Sequence, residues 1–181
     1  AQLALAAGLY AGPVSGEKTV PDCGWYQPGR GVVAPEAMAG GGPAVAVTFY
    51  RSYLTAADTE PVDAVIAALR ARGFAAVGVF VPSLKAAGAG AFLREALARL
   101  QPVAIVNATA FSGKGADGTS PLDGPGCPVF QLALSTTRRR DWVGSDRGLS
   151  PGDLAMHVVL PEVDGRLFAG VASFKSPGRR D

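Results

Sequence analysis

Apolar residues fall in short runs separated by stretches of helical spacing, and this alternation organises most of the chain. Residues Ala44–Tyr50 read AVAVTFY, an apolar, β-branched run of strand length. Asp58 and Thr59 then offer helix caps, and Pro61 falls in a first turn, where its missing N–H costs little. Val62, Ile66 and Leu69 share one helical face, which Gly73 terminates. Residues 74–81 form a second buried run. Phe92, Ala96, Leu97 and Leu100 make the next helical stripe, with Glu95 and Arg99 placed i,i+4 outside it, and Pro102 ends it. Residues 103–108, 128–135 and 167–174 supply a third, fourth and fifth strand. Strand starts near 44, 74, 103 and 128 recur at the interval of one strand–helix unit. The runs are nearly all apolar, so both faces of the sheet need cover, as in parallel sheets. The predicted fold is α/β: a flavodoxin-like open parallel sheet of about five strands, helices on both faces, strand order 2-1-3-4-5.

That pattern sets the expected organisation. Residues 1–43 read as a lead-in segment from a preceding region, 44–175 as the parallel α/β domain and 176–181 as a tail. The opening AQLALAAGLYAG has no basic residues before it, so a helix tail fits better than a signal peptide. No apolar stretch approaches the roughly 18 residues that cross a bilayer. Trp25 and Tyr26, in VPDCGWYQPGRG, are expected to pack against the domain, and Gly40-Gly41-Gly42-Pro43 to form a loose lead-in.

Composition narrows the partners. At 181 residues and 48% hydrophobic content, the chain can bury one sizeable core. A net charge of +2 and scattered aromatics argue against nucleic acid. Cys23 and Cys127 are the only cysteines, a usage that suits a reducing cytosol without disulfides and predicts a cytoplasmic protein. With one histidine beside them, no zinc spacing emerges, so no metal or cofactor is expected on this chain itself.

Ligands of open parallel sheets bind beyond the carboxyl ends of the strands, where strand order reverses. That rule selects Tyr50, Arg51, Ser52 and Tyr53 after the first strand and Asn107, Thr109, Phe111 and Ser112 after the third. Ser135 and Thr136 follow the fourth. Such a rim suits a ligand with a flat apolar body and anionic or amide edges. Arg51 either meets that ligand or caps a helix or pairs with an acid such as Asp58. Tyr50 and Tyr53 serve as packing residues or as rim contacts, and Asn107 either faces ligand or satisfies backbone groups at its strand end. Residues 111–126, FSGKGADGTSPLDGPG, do not form a phosphate loop: Asn107 stands where the first glycine should be, and Gly115 replaces the hydroxyl residue after Lys114. A mobile lid or a disordered segment is expected there. Arg138, Arg139 and Arg140 form either a solvated face or a contact for carboxylates.

Ser150-Pro151-Gly152-Asp153 looks like a helix start with Ser150 as cap, and the helix should run through LAMHVVL to Pro161. His157 on it is a core histidine, a proton carrier or an axial metal ligand. Asp164-Gly165 reads as turn chemistry. Glu162 has the better claim to function, as a carboxylate available to accept protons. No nucleophile–base–acid order emerges, so catalysis by this chain alone is not supported.

Several segments, in order, resemble one family. VTFYRSYL, LRARGF, VFVPSLK, IVNATAF and RGLSPGDLAMHVVLPEVDGR are similar to the cobaltochelatase and magnesium-chelatase large subunits, over residues from about Val45 to Lys175. The His157 segment is closer to the cobalt branch. The resemblance implies a piece of the tetrapyrrole-binding subunit of an ATP-dependent enzyme that inserts Co²⁺ into hydrogenobyrinic acid a,c-diamide. It also implies AAA+ ATPase partner subunits, with the remainder of the large subunit completing the site. Co²⁺ and ATP would be used by the whole complex. Arg51, Tyr53, Asn107, Thr109, His157 and Glu162 fall on matching segments, which do not fix their individual roles; Phe111 stands on the same rim. The alternatives are the magnesium branch acting on protoporphyrin, and a flavodoxin-like scaffolding module with no substrate contact.

Overall fold

A computed structural model describes residues 19–35 and 41–175. The expected helix tail at the start of the chain and the tail at 176–181 lie outside the described residues. In chain order the elements are β1 (Gly24–Gln27), β2 (Gly31–Val33), β3 (Ala44–Tyr50), α1 (Arg51–Thr55) and α2 (Glu60–Arg70). There follow β4 (Ala75–Val81), α3 (Ala89–Leu100), β5 (Ala104–Asn107), β6 (Val129–Arg138) and α4 (Arg139–Val143). Then α5 (Pro151–Leu154), a π-helical turn (Ala155–Val159) and α6 (Leu160–Val163) form one continuous helix, before β7 (Leu167–Lys175).

The sheet runs β2-β1-β4-β3-β5-β6-β7. Its parallel part, β4-β3-β5-β6-β7, has the predicted order. The count of about five strands fell short: the sheet has seven, and it is mixed. The additional two are the antiparallel hairpin β1–β2, which pairs Trp25 with Val79 at the β4 edge. Pro28 and Gly29 make its turn, closed by Arg30 N donating to Gln27 O at 3.1 Å. Gly24 lets β1 approach the Phe80 ring, which a Cβ there would meet at 2.6 Å.

Alternation along the central strands sends neighbouring side chains to opposite faces. Val45, Val47 and Phe49 join Tyr26, Phe80 and the α2 residues Val62 and Ile66. Ala46, Val77, Val79 and Ile105 join Trp25 and the α3 residues Leu93 and Leu97. Each fully buried aliphatic side chain contributes about 1.5–3 kcal/mol. The two helices lie on opposite faces because the chain steps one way from β3 to β4 and back past β3 to β5.

The β5-to-β6 crossover has no helix. Residues 108–128 replace it with a loop, expected above as a lid or a disordered segment, whose Leu122 is 1% exposed inside the α3-side core. The helix at 151–163 begins as expected, Ser150 Oγ accepting from Asp153 N at 3.1 Å. It does not stop at Pro161. A proline ring would clash with the carbonyl four residues back, and the backbone widens into the π turn just before it.

Candidate functional site

At the carboxyl ends of β3, β4 and β5 a cleft of about 400 Å³ opens between Tyr50, Ser83, Lys85, Phe111, Ser112 and Leu160. This is where strand order reverses, β3 lying between β4 and β5. Tyr50 clamps its base, donating to Ala110 O and accepting from Ala110 N, both at 2.9 Å. Burial pushes the Tyr50 phenol up, against lowering by the Ala110 backbone and Arg166, so it stays a neutral donor. Phe111 holds φ at 64°, rare for a residue with a side chain, and its N–H donates to Met156 O at 2.8 Å. That posture leaves the ring 50% exposed in the cleft, a flat apolar surface beside the Lys85 cation.

Below the rim lies a buried polar lattice. Thr48 Oγ1 and Thr109 Oγ1 donate to Asn107 Oδ1 at 2.6 and 3.0 Å, while Asn107 Nδ2 donates to Gln131 Oε1 at 2.7 Å. Gln131 Nε2 donates to Thr109 O at 2.7 Å, and Arg166 Nη1 donates to Gln131 Oε1 at 3.1 Å and to Phe111 O at 3.2 Å. Arg166 Nη2 pairs with Asp164 Oδ2. Asp164 also accepts from Gly113 N at 2.6 Å and from Ser112 Oγ. Burial lowers the Arg166 pKa, opposed chiefly by Asp164. The guanidinium thus fixes the carbonyl of Phe111 and, through Asp164, the next two residues of the rim.

A second buried carboxylate holds the far end. Asp153 accepts from Ser135 Oγ at 2.7 Å, Thr136 N at 3.0 Å and Thr136 Oγ1 at 2.9 Å. Burial would raise its pKa, but these bonds and one from Thr137 outweigh that and hold it below the usual carboxylate range. His157 is 5% exposed on the π turn, with Nδ1 unpartnered, and burial depresses its pKa against the pull of Asp153.

The residues selected from sequence separate into groups. Phe111 lines the switch-point cleft. Asn107 and Thr109 are wholly buried and present their polar atoms to the lattice, the satisfying role that the Asn107 alternative described. Arg51 turns the other way: Nε donates to Pro21 O at 2.9 Å and Nη2 to Val20 O at 2.7 Å, with Asp22 at 3.7 Å. Its acidic neighbour is therefore Asp22 and not Asp58. Tyr53 lines a different cleft of about 280 Å³ with Asp58, Ser135 and Lys175. Glu162 is exposed on α6, two residues from Leu160, and His157 is enclosed. Reading the sequence missed Gln131, Arg166 and Lys85, and took Asp164 only for a turn residue. A lone Gln inside the apolar run VFQLAL was the one available signal. Among the described residues no group of three His, Cys, Asp or Glu is placed to hold a metal ion, and no helix is long and apolar enough to cross a membrane.

Fold and site together define an α/β domain: a mixed, mostly parallel sheet with a cleft at its switch point and a rim held by a buried ion pair. The comparisons with known proteins specify it further. The family model described as CobN/Magnesium Chelatase matches residues 4–181, and the chain belongs to that family. It is 43% identical over 137 residues to an aerobic cobaltochelatase CobN protein from a Sinorhizobium species, covering 74% of this chain and 11% of the relative. Identity to the CobN of Pseudomonas aeruginosa is 38% over 137 residues, covering 75% and 11%. Identity to the H component of the magnesium chelatase of Rhodobacter capsulatus is 31% over 173 residues, covering 90% and 14%. The chain thus spans between 11% and 14% of the length of these relatives. No solved structure matches it.

Proposed function

We propose that this chain is a domain of the large, tetrapyrrole-binding subunit of a cytoplasmic, ATP-dependent cobaltochelatase, which inserts Co²⁺ into hydrogenobyrinic acid a,c-diamide in cobalamin synthesis. The observation that carries the cobalt branch is the 43% identity to a CobN protein, against 31% to a magnesium-chelatase relative. Within that reading the switch-point cleft supplies one wall of the tetrapyrrole site. The Phe111 ring lies against the macrocycle face, Lys85 meets a peripheral carboxylate, and the Ser83 and Ser112 hydroxyls serve amide or carboxylate edges. At about 400 Å³ the cleft is one wall and not a complete cavity, and the remainder of the large subunit closes it.

Metal entry displaces the inner N–H proton of the macrocycle, one in a corrin and two in a porphyrin, and this needs an acceptor. Glu162, exposed beside Leu160, is the carboxylate assigned that task. His157 is enclosed, so its assignment here is to the packing under the rim. Arg51 and Tyr53 are assigned to the outer walls. AAA+ partner subunits hydrolyse ATP, and Co²⁺ and ATP are substrates of the whole complex.

Absorbance titration with hydrogenobyrinic acid a,c-diamide and with protoporphyrin IX tests the reading. Saturable binding of the corrin precursor, weakened at least tenfold in Phe111→Ala and Lys85→Ala, is the expected result. Preference for protoporphyrin would move the chain to the magnesium branch. No spectral change with either ligand, from a chain shown to be folded, would favour a scaffolding role.

A further inference from the structure

A larger cleft lies away from the switch point. It lies at the carboxyl ends of β6 and β7, has a volume of about 600 Å³, and is lined by Arg138, Arg139, Arg140, Ser173, Phe174 and Lys175. That is within the range of small-molecule sites. The strand register sets Arg138 directly beside Lys175. Like charges directly opposed across a sheet are destabilising. Two more arginines adjoin this pair, and only Arg140 has an acidic partner, Asp141 at 3.3 Å, in an exposed contact that water screens. Among the described residues, Arg138, Arg139 and Lys175 have no acid within ion-pair distance. The repulsion is relieved when anions sit between them.

The cleft also has a flat side. Phe174 lines it and packs against Trp142 on α4, ring centroids 5.3 Å apart. Ser173, Phe174 and Lys175 also border the smaller cleft of Tyr53 and Ser135, so the two openings share a wall. Arginine guanidinium groups match carboxylates in bidentate geometry, and an aromatic wall selects a planar body.

We propose that the β6–β7 cleft is a second binding site on this domain, for a planar ligand bearing two or more carboxylates. It does not rest on the reading of the switch-point cleft, and the two can fail separately.

The test uses meso-tetra(4-carboxyphenyl)porphyrin, its tetracationic N-methylpyridyl counterpart and ATP, followed by quenching of Trp142 fluorescence. The carboxylated porphyrin should quench saturably, and Trp142→Phe should remove that component. Arg138→Ser/Arg139→Ser should weaken binding at least tenfold and Lys175→Gln severalfold, with exposed Arg72→Gln unchanged as the charge control. Should the double variant lose its circular dichroism, Lys175→Gln on the other strand carries the same test. Equal affinity in these variants, or equal binding of the cationic porphyrin, would overturn the proposal. ATP binding as tightly as the porphyrin would overturn the selection for a planar polycarboxylate. Loss in Lys85→Ala with retention in the arginine variants would place the ligand at the switch point, sinking this proposal alone.

Discussion

The two halves of the sheet are built on opposite principles. Around β3 and β4 the interior is apolar: Ala46, Phe49, Val79, Phe80 and Val81 are completely enclosed, and α2 and α3 close both faces over them. Around β6 and β7 buried polar groups share the inside with Ala133 and Leu134, and apolar side chains face out. The helix from Pro151 to Val163 buries Asp153, His157 and Pro161, while Leu154, Val159, Leu160 and Val163 lie exposed. Leu167 and Phe168 continue that exposure onto β7, the terminal strand of the sheet. Soluble helices ordinarily do the reverse. The first half is closed on both faces by its own helices. The second uses burial to hold a rim, and its elements border both the switch-point cleft and the arginine-lined cleft.

The largest effect that separates the halves should come from the buried ion pair. Asp164→Asn leaves the Arg166 guanidinium, 2% exposed, without its counter-charge, and should cost about 3–5 kcal/mol in chemical denaturation. It should also loosen Ser112 and Gly113. A loss under 1 kcal/mol would mean that the lattice does not hold the rim.

Next comes a matched pair of apolar truncations. Leu93→Ala in the α3 core should cost about 2–5 kcal/mol, through lost burial and the cavity left behind. Val163→Ser, at a position 61% exposed, should stay within about 0.5 kcal/mol. A large loss for Val163→Ser in the isolated chain would refute the inversion.

A smaller effect is read by pH. Burial holds the pKa of His157, the single histidine, below the ordinary 6.5. The unfolded chain takes up a proton near pH 6.5 and the folded chain does not, so stability falls as pH drops below that value toward the folded pKa. His157→Gln should flatten that slope. Asp153, held below 3.8, adds its own loss further down, as pH falls through its folded value. An unchanged slope in His157→Gln would show that the histidine is not enclosed.

The same contrast explains what was legible in the sequence. Strand order could be read because β3 to β7 each announce themselves as apolar runs, the first four starting at strand–helix spacing. The hairpin could not, because its strands have four and three residues and Pro28, Gly29 and Gly31 look like loop. Tyr50 and Phe111 were found by topology alone. Gln131, Asp164 and Arg166 were not, since the rim groups they hold lie 22 to 55 residues away and no local pattern marks them. Arg51 was placed on the right turn, but the carbonyls that claim it belong to residues 20 and 21.

Amide hydrogen exchange with and without hydrogenobyrinic acid a,c-diamide tests most directly whether the polar rim is where ligand meets this domain. Slowed exchange should appear in residues 83–86 and 110–114, with α2 unchanged. Protection confined to α2, or none at ligand concentrations that saturate the absorbance change, would contradict the account.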